Sequence, residues 1–219
     1  MLAVCRELAC CTELVVVRCA WPASRLNQFA TLSHMPRRTA LLLQEGPTRR
    51  SQKSQGRRRC LTRHEFIPEG YTTLLDAIGT AINETARQIE ALPEDQRPGK
   101  VIFVIVTDGL ENASREYSRD AVLKLIQERR ERHGREFAFL GANQDAIAEG
   151  GNLGIGANTS LTYSASGAGA GAAFCSVSSL VGTIRTSAGA GPGPSFSDAD
   201  RKAQERLDRQ RRKQRPSKN

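Results

Sequence analysis

The sequence predicts an α/β fold, in which a parallel β-sheet is covered by helices on both faces. The first observation is the run "VIFVIV" at residues 101–106, which is apolar throughout and rich in β-branched residues. Such a short run is typical of a strand buried on both faces of a parallel sheet. The second observation is that helix-like and strand-like segments alternate around this run, with short connections. A chain of 219 residues with 39% hydrophobic residues suits one such domain with appended ends.

An amphipathic helix is predicted for "TTLLDAIGTAINETARQIEAL" at residues 72–92. Thr72 and Thr73 follow Gly70 and are candidate N-terminal caps, because a threonine hydroxyl can accept a hydrogen bond from a first-turn N–H. Apolar residues recur at the helical spacing and define one buried face. These residues are Leu74, Leu75, Ile78, Ile82 and Ile89.

A second helix is predicted to begin after Ser118 and to end at Gly134. Ser118 is a suitable N-cap, and Tyr117 before it can pack onto Val122 as a hydrophobic staple. The last turn is basic and includes His133, which suits the negative end of the helix dipole, and Gly134 suits a left-handed stop. The buried stripe of this helix is predicted to comprise Val122, Leu125 and Ile126.

The chain after residue 134 continues the alternation of strands and helices. Strands are predicted for "EFAFLGAN" at residues 136–143 and "TSLTYSAS" at residues 159–166. A short helix is predicted within "QDAIAEGGNLGI" at residues 144–155, and a closing helix for "GAAFCSVSSLVGTI" at residues 171–184. The segment "SAGAGPGPS" at residues 187–195 has the composition of a flexible linker.

The positive charge of the chain is concentrated at its two ends. Residues 1–60 hold 11 Lys or Arg and 3 acidic residues, and residues 197–219 hold 9 and 4, whereas residues 61–196 hold 12 and 16. We therefore expect a divergent, basic, Cys-rich and poorly ordered segment over residues 1–60. An α/β domain over residues 61–187 follows, and then a flexible linker and basic tail over residues 188–219.

Five of the six cysteines lie in the first 60 residues. Their spacings match no paired C-x-x-C pattern and the only early histidine is His34, so reduced thiols are favoured over a zinc site or a disulfide framework. Charged residues interrupt the apolar N-terminal stretch before the core of a signal peptide could form, and no window reaches the length of a membrane span. The sequence therefore predicts a cytoplasmic protein with no membrane partner.

Two segments together resemble the second half of a von Willebrand factor type A (vWA) domain. They are "IPEGYTTLLDAIGTAI" at residues 67–82 and "KVIFVIVTDGLENAS" at residues 100–114. The segment "EFAFLGANQDAIAEGGNLGI" at residues 136–155 is similar to the continuation of that domain in bacterial cytosolic members. The resemblance extends over residues 61–186 and is most specific where a G-x-T sequence combines with T-D-G. It implies a Rossmann-like parallel sheet with helices on both faces, incomplete at its first strands.

The resemblance also implies a metal-ion-dependent adhesion site at the top of the sheet, where oxygen ligands hold Mg²⁺. In that pattern Thr72 corresponds to the loop threonine, with Thr73 as the adjacent candidate, and Asp108 corresponds to the aspartate after the fourth strand. Glu111 is a further candidate carboxylate. Taken by its neighbours alone, Asp108 before Gly109 is more often a turn former, which accepts hydrogen bonds from the amides that follow it.

The D-x-S-x-S motif of the adhesion site is absent, because no Asp precedes Asp76. The resemblance therefore implies a degenerate site with Mg²⁺ weakly held or absent, since Mg²⁺ gives up its water ligands reluctantly. The missing first strand would lie beside residues 101–106, and "ELVVVRCAW" at residues 13–21 is a candidate substitute. A shifted reading frame across codons 1–60 and a natively divergent segment remain the two interpretations of the missing motif.

The function that the resemblance implies is a non-enzymatic protein-binding module with an unknown protein partner and no small-molecule substrate. His64 and His133 lie in surface-like stretches and no Ser or Cys lies on a nucleophile elbow, so an enzyme is not expected. The pattern Gly167-x-Gly169-x-x-Ala172 is similar to a dinucleotide fingerprint. It lacks the acidic residue that should follow about 20 positions on, which favours a small-residue helix entrance.

Nucleic-acid binding is the alternative function. The segments "RRSQKSQGRRRC" at residues 49–60 and "RLDRQRRKQRPSKN" at residues 206–219 are basic enough to contact phosphates. Neither segment contains the aromatic side chains on which bases stack, so this alternative is the weaker of the two.

Overall fold

The computed structural model describes residues 12–19, 39–44, 72–142, 145–187 and 193–214, the first two stretches as backbone strands only. Five strands form one parallel sheet in the order β2–β1–β3–β4–β5. The strands are β1 (Thr12–Cys19), β2 (Thr39–Gln44), β3 (Lys100–Thr107), β4 (Glu136–Ala142) and β5 (Ser160–Tyr163). The helices are α1 (Leu74–Glu90), α2 (Arg119–His133), α3 (Ala146–Asn152), α4 (Gly167–Thr186) and α5 (Asp198–Lys213), with 3₁₀ turns at Glu94–Gln96 and Ala157–Thr159.

The side chains of β3 alternate between two apolar cores, one on each face of the sheet. On one face Phe103 stacks on Phe137 of β4 with ring centroids 5.0 Å apart, and α1, α2 and α3 cover these rings. On the other face Ile102, Val104 and Val106 pack under α4. The predicted α/β fold with helices on both faces is confirmed, because β3 is buried from Val101 onward.

Both predicted amphipathic helices lie where the apolar spacing places them. The five apolar positions of α1 are all buried, as are Val122 and Ile126 of α2. The Ser118 hydroxyl accepts a hydrogen bond from a first-turn N–H of α2, and Gly134 ends that helix in the left-handed conformation with φ of 59°. These local signals are confirmed because each depends on a cap or stop residue next to the helix it limits.

Two helix starts differ from the prediction. Thr73 occupies the N-cap position of α1 but makes no side-chain capping bond, so its predicted capping role is wrong. Helix α4 begins at Gly167 rather than at residue 171, and the Ser166 hydroxyl caps its first turn. Gly169 lies so close to the backbone oxygen of Ser164 that a Cβ there would clash. Gly169 therefore allows close packing at the entrance of this helix.

Part of the predicted flexible tail forms helix α5, which packs against α4 and β5. Phe196 just before it is 4% exposed and Gln204 within it is 3% exposed. The expectation of a flexible tail is wrong for this helix. Charged residues dominate its sequence, so the buried side of the helix, which centres on a glutamine, gives almost no apolar signal.

β1 is the second strand of the sheet and has a parallel partner on each side. Its register with β3 runs from Thr12 opposite Lys100 to Cys19 opposite Thr107, and β2 pairs along its other edge. The stretch proposed as a substitute first strand therefore holds that position, and the described sheet is not open beside β3. Other residues of the segment 1–60, including His34 and the basic run 49–60, lie outside the described residues, as does His64.

α4 is the one helix among the described residues that is long and apolar enough to cross a membrane by length and composition. Its apolar residues pack under the sheet, as expected of a core helix. They are Ala170, Ala173, Val177, Leu180, Val181 and Ile184.

Candidate functional site

The candidate site lies at the edge of the sheet where the carboxyl ends of the parallel strands meet, which we call the carboxyl edge. Ligands of open α/β sheets bind at this edge. Asp108 follows β3 here and is partly exposed, and the backbone of Cys19 at the end of β1 is in register with Thr107. The buried Thr107 hydroxyl bonds both backbone groups of Gly109, at 2.7 Å to its oxygen and 3.3 Å to its nitrogen. Thr107 thereby fixes the turn that presents Asp108.

Thr72 lies against the loop of residues 108–117, which connects β3 to α2 and which we call the β3–α2 loop. The Thr72 N–H donates to Asn112 Oδ1 at 2.8 Å, and the Asn112 N–H donates to the Thr72 oxygen at 3.1 Å. A Cβ added to Gly109 would lie 2.8 Å from Thr72 Oγ1, so the threonine hydroxyl is next to the turn at Asp108. The structure thus brings together the threonine and the aspartate that the sequence paired. Thr73 is half-buried beside them at the start of α1.

Glu111 does not point an open carboxylate at this site, because both of its oxygens hold backbone and hydroxyl donors. Oε1 accepts from the Ala113 and Ser114 N–H groups at 2.9 and 2.8 Å. Oε2 accepts from the Leu75 N–H at 2.9 Å and from the Ser114 hydroxyl at 2.7 Å. The bond to Leu75 caps the N-terminus of α1 from a distant loop, which supplies the cap that Thr73 does not.

The ionised form of Glu111 is favoured by this arrangement. Partial burial on its own raises the pKa of a carboxyl group, but the hydrogen bonds from Ser114, Leu75 and Ala113 outweigh it. The net result is that the pKa of Glu111 lies below its ordinary value of 4.5.

Asp76 is the site residue that sequence reasoning missed. It is 6% exposed in the first turn of α1, and its carboxylate accepts three backbone N–H groups of the β3–α2 loop. The donors are Arg115 at 2.8 Å and Glu116 and Tyr117 at 2.9 Å. A signal was present, since Asp76 stands between Leu75 and Ala77 in a helix turn that is otherwise apolar. A carboxylate in such a place must find donors or lose its charge.

Several oxygens near Thr72 and Asp108 are engaged in hydrogen bonds within the chain. The ion needs near-octahedral oxygen coordination and usually takes one or two carboxylates. Around Thr72 and Asp108, the oxygens of Glu111 and the Oδ1 of Asn112 already accept hydrogen bonds. Within the described residues, no cluster of three or more His, Cys, Asp or Glu side chains is found. Glu111 is therefore better explained as a helix cap than as a metal ligand.

Two large hydrophobic side chains stand exposed among the described residues, and both lie at the carboxyl edge. Leu110, in the β3–α2 loop, is 59% exposed, and Ile147, in the first turn of α3 after β4, is 44% exposed. Because β3 and β4 are neighbours, these side chains follow adjacent strand ends. Exposed apolar groups beside polar ones are a feature of surfaces that bind other proteins.

Two other sets of residues were considered for function, namely His133 and the basic residues of α5. His133 is exposed at the end of α2, where its ring lies 3.4 Å from Arg129 Nη1. On α5 the basic residues Arg211 and Arg212 donate hydrogen bonds to Asp208 at 2.7 and 2.6 Å, so the carboxylate offsets part of their positive charge. These bonds hold the pKa of Asp208 below its ordinary value.

Comparisons of the chain with protein-family models, with curated proteins and with solved structures found no match.

Proposed function

We propose that the chain is a vWA-like, non-enzymatic module that binds a protein partner at the carboxyl edge and does so without a divalent cation. The vWA-like assignment is supported by the sequence resemblance and by the position of Thr72 against the turn at Asp108. The observation that carries the binding proposal is the exposure of Leu110 on a loop whose backbone is held by Asp76, Glu111 and Asn112. The expected setting is the cytoplasm.

A held loop favours binding because little conformational entropy is lost when the partner docks. Five backbone N–H groups of the β3–α2 loop donate to the carboxylates of Asp76 and Glu111. Leu110 lies between the turn at Gly109 and the first of these anchored residues. It can therefore act as a preorganised apolar anchor, the type of residue on which protein interfaces depend most.

The binding proposal is tested with the full chain as bait in extracts of the source cells. Leu110→Ser and Ile147→Ser should each reduce the capture of the same protein partner, by about tenfold for Leu110. Arg132→Ser, on the exposed side of α2, is the matched control and should capture as much as the wild type. Capture that is equal for wild type and Leu110→Ser contradicts the proposal. Capture that nuclease or moderate salt abolishes favours the nucleic-acid alternative.

The metal-independence is tested by thermal melting. We expect Mg²⁺ or Mn²⁺ at a few millimolar to leave the melting temperature unchanged, because a cation that binds the folded chain weakly adds little to its stability. Asp108→Ala serves as the control. A clear rise in melting temperature that Asp108→Ala removes would show that an ion binds at Asp108.

A further inference from the structure

β5 is the edge strand of the sheet, and α5 lies along it. Within the described residues β5 pairs with β4 alone, so its second edge faces away from the sheet. An edge strand offers backbone N–H and C=O groups that can pair with a strand of another molecule. The four residues of β5, Ser-Leu-Thr-Tyr, carry no charge and include three that suit strands well. The short length of β5 limits such pairing, and α5 is the described helix that lies next to this edge.

Two side chains of α5 bond the backbone at the two ends of β5. Arg201 Nη1 donates to the oxygen of Ser160, the first residue of the strand, at 2.9 Å, and Nη2 donates to the oxygen of Ala157 at 2.7 Å. Gln204 Oε1 accepts from the N–H of Ser164, just past the last residue of the strand, at 3.1 Å. Arg201 and Gln204 are one helical turn apart and so point the same way.

Gln204 is placed for this role by burial and by a second hydrogen bond. Its side chain is 3% exposed, and its Nε2 donates to the oxygen of Gly169 at 3.0 Å, in the first turn of α4. A glutamine in this position accepts from one backbone donor and donates to one backbone acceptor at the same time. A leucine of similar size would fill the space and satisfy neither.

The N-terminus of α5 is fastened independently of these contacts. Ser197 and Asp200 form a capping box, and Asp200 also accepts a hydrogen bond from the Ser176 hydroxyl of α4 at 2.6 Å. The buried Phe196 donates its N–H to the oxygen of Asn158 at 2.8 Å. Variants at Arg201 and Gln204 can therefore release the strand edge while these anchors keep the start of α5 in place.

A groove of about 460 Å³ remains between β5, the start of α3 and α5. The charged groups in it have partners within the chain. Asp145 caps α3, Arg201 holds the backbone near β5, and Asp208 pairs with Arg211 and Arg212. This pairing argues against a charged small molecule as the occupant of the groove.

We propose that α5 is an edge guard, which prevents β5 from pairing with the β5 strand of a second copy of this chain. Arg201 and Gln204 occupy the backbone groups that a neighbouring strand would use at both ends of β5. A second copy is the matching partner because it presents the same strand, and two equal edges can pair about a twofold axis. The proposal is independent of the function proposed for the carboxyl edge.

The test compares full-length variants by light scattering. We expect the wild type to scatter as a monomer of 23.9 kDa. Arg201→Met with Gln204→Leu keeps the side-chain volume but removes the guarding bonds, and it should form a species of twice that mass as concentration rises. Adding Thr162→Lys places a charge on the exposed middle of β5 and should restore the monomer. Because this change also removes the hydroxyl that accepts from the Ala146 N–H at 3.2 Å, Thr162→Lys alone is its control and should fold and remain monomeric. Arg209→Met, on the solvent side of α5, is the matched control and should remain monomeric.

Hydrogen exchange of the Ser164 amide shows whether the guard has been removed. This amide should exchange at least about tenfold faster in the double variant, because its acceptor is lost. Faster exchange without association would overturn the proposal, as would a wild type that is already dimeric or an association that Thr162→Lys does not reverse. If the double variant does not fold, Arg201→Met alone should still associate more than Arg209→Met, and equal behaviour of the two would also overturn it.

Discussion

At the scale of single residues, Asp76 and Glu111 join α1 to the β3–α2 loop in opposite directions. Asp76 extends from the helix and accepts three backbone N–H groups of the loop, whereas Glu111 extends from the loop and accepts the Leu75 N–H of the helix. Bonds from backbone donors to an ionised carboxylate are stronger than bonds between neutral groups. The shape of the carboxyl edge, including the exposure of Leu110, therefore depends on two charges.

Asp76→Asn should destabilise the fold by about 2 kcal/mol. The amide keeps one oxygen but turns an NH₂ group towards a backbone donor, so at least one of the three N–H groups loses its acceptor. Urea denaturation at neutral pH measures the change in the free energy of unfolding. Asp95→Asn, on an exposed 3₁₀ turn, is the matched control and should change it by less than about 0.5 kcal/mol. Equal values for the two variants would show that Asp76 does not anchor the loop.

Glu111 should make the stability depend on pH in the acid range. Its pKa in the folded chain lies below 4.5, so the unfolded chain takes up a proton first as the pH falls. The contribution is fully present above the unfolded value and is lost as the pH falls through the folded value. At neutral pH we expect Glu111→Gln to be less stable than the wild type by about 1–2 kcal/mol.

The difference between wild type and Glu111→Gln should narrow below about pH 4.5, where the wild-type carboxyl also becomes neutral. Urea denaturation at a series of pH values checks this. Glu116→Gln, on the same loop but exposed, should differ from the wild type by less than about 0.5 kcal/mol at pH 7. A gap for Glu111→Gln that stays constant down to low pH would contradict the capping role.

The sequence pointed to Thr72 and Asp108 as residues of the candidate site, but it did not predict the hydrogen bonds that Glu111 makes there. Thr72 and Asp108 each stand beside a strong local pattern, a helix start and a strand end, and the fold then brings them together. The role of Glu111 depends on which N–H groups the loop turns towards it. That is decided by the loop conformation and by contacts with α1, 36 positions away in the case of Leu75. The spacing of residues along the chain therefore does not predict such bonds.

At the scale of elements, the β3–α2 loop packs closely against α1 at one glycine, Gly79. The ring of Tyr117 lies over Gly79, where an added Cβ would be 2.5 Å from ring carbons, and the Tyr117 hydroxyl accepts a bond from Asn83 at 3.0 Å. The sequence predicted a staple of Tyr117 onto Val122, and the structure places the tyrosine ring over α1. Glycine is used here for space, in a helix where it otherwise lowers stability.

Gly79→Ala should therefore destabilise the protein by about 1–3 kcal/mol, although alanine is the better helix former. Gly182→Ala is the matched control, because Gly182 is also inside a helix and has nothing within 4 Å of an added Cβ. It should stabilise the protein by about 0.5–1 kcal/mol. The two midpoints of urea denaturation should move in opposite directions. A shift of both midpoints to higher urea would show that the Tyr117 ring moves aside without cost.

Elements with an apolar period were predictable and those without one were not. α1, α2 and β3 each bury a regular set of apolar residues, so their positions follow from the sequence. α5 is held by a capping box, one arginine and one glutamine, and polar residues of this kind are equally common in solvated tails. The start of α4 at Gly167 was not predicted for the same reason, because its first turn consists of glycine and alanine, which show no apolar period.

At the scale of the whole molecule, the sheet depends on a strand from the segment with the least regular composition. β1 lies between β2 and β3 and pairs with both, so its backbone groups are used on two sides. Without it β3 would be an edge strand with an unpaired row of buried donors and acceptors. The composition of residues 1–60 predicts poor order, whereas the sheet requires order within it at residues 12–19. Composition and sheet pairing therefore predict opposite rates of hydrogen exchange for the backbone amides of β1.

Hydrogen exchange of Leu14 to Val17 decides between them. We expect these amides to exchange as slowly as those of β4, because a strand paired on both sides opens only when much of the sheet opens. Val16→Pro should then remove an N–H from a strand that is paired on both sides and speed exchange in β3 as well. If residues 1–60 are poorly ordered, Leu14 to Val17 will exchange at rates near those of an unfolded chain, and Val16→Pro will leave β3 unchanged. That outcome would show that β3 and its two cores persist without a partner in the position of β1.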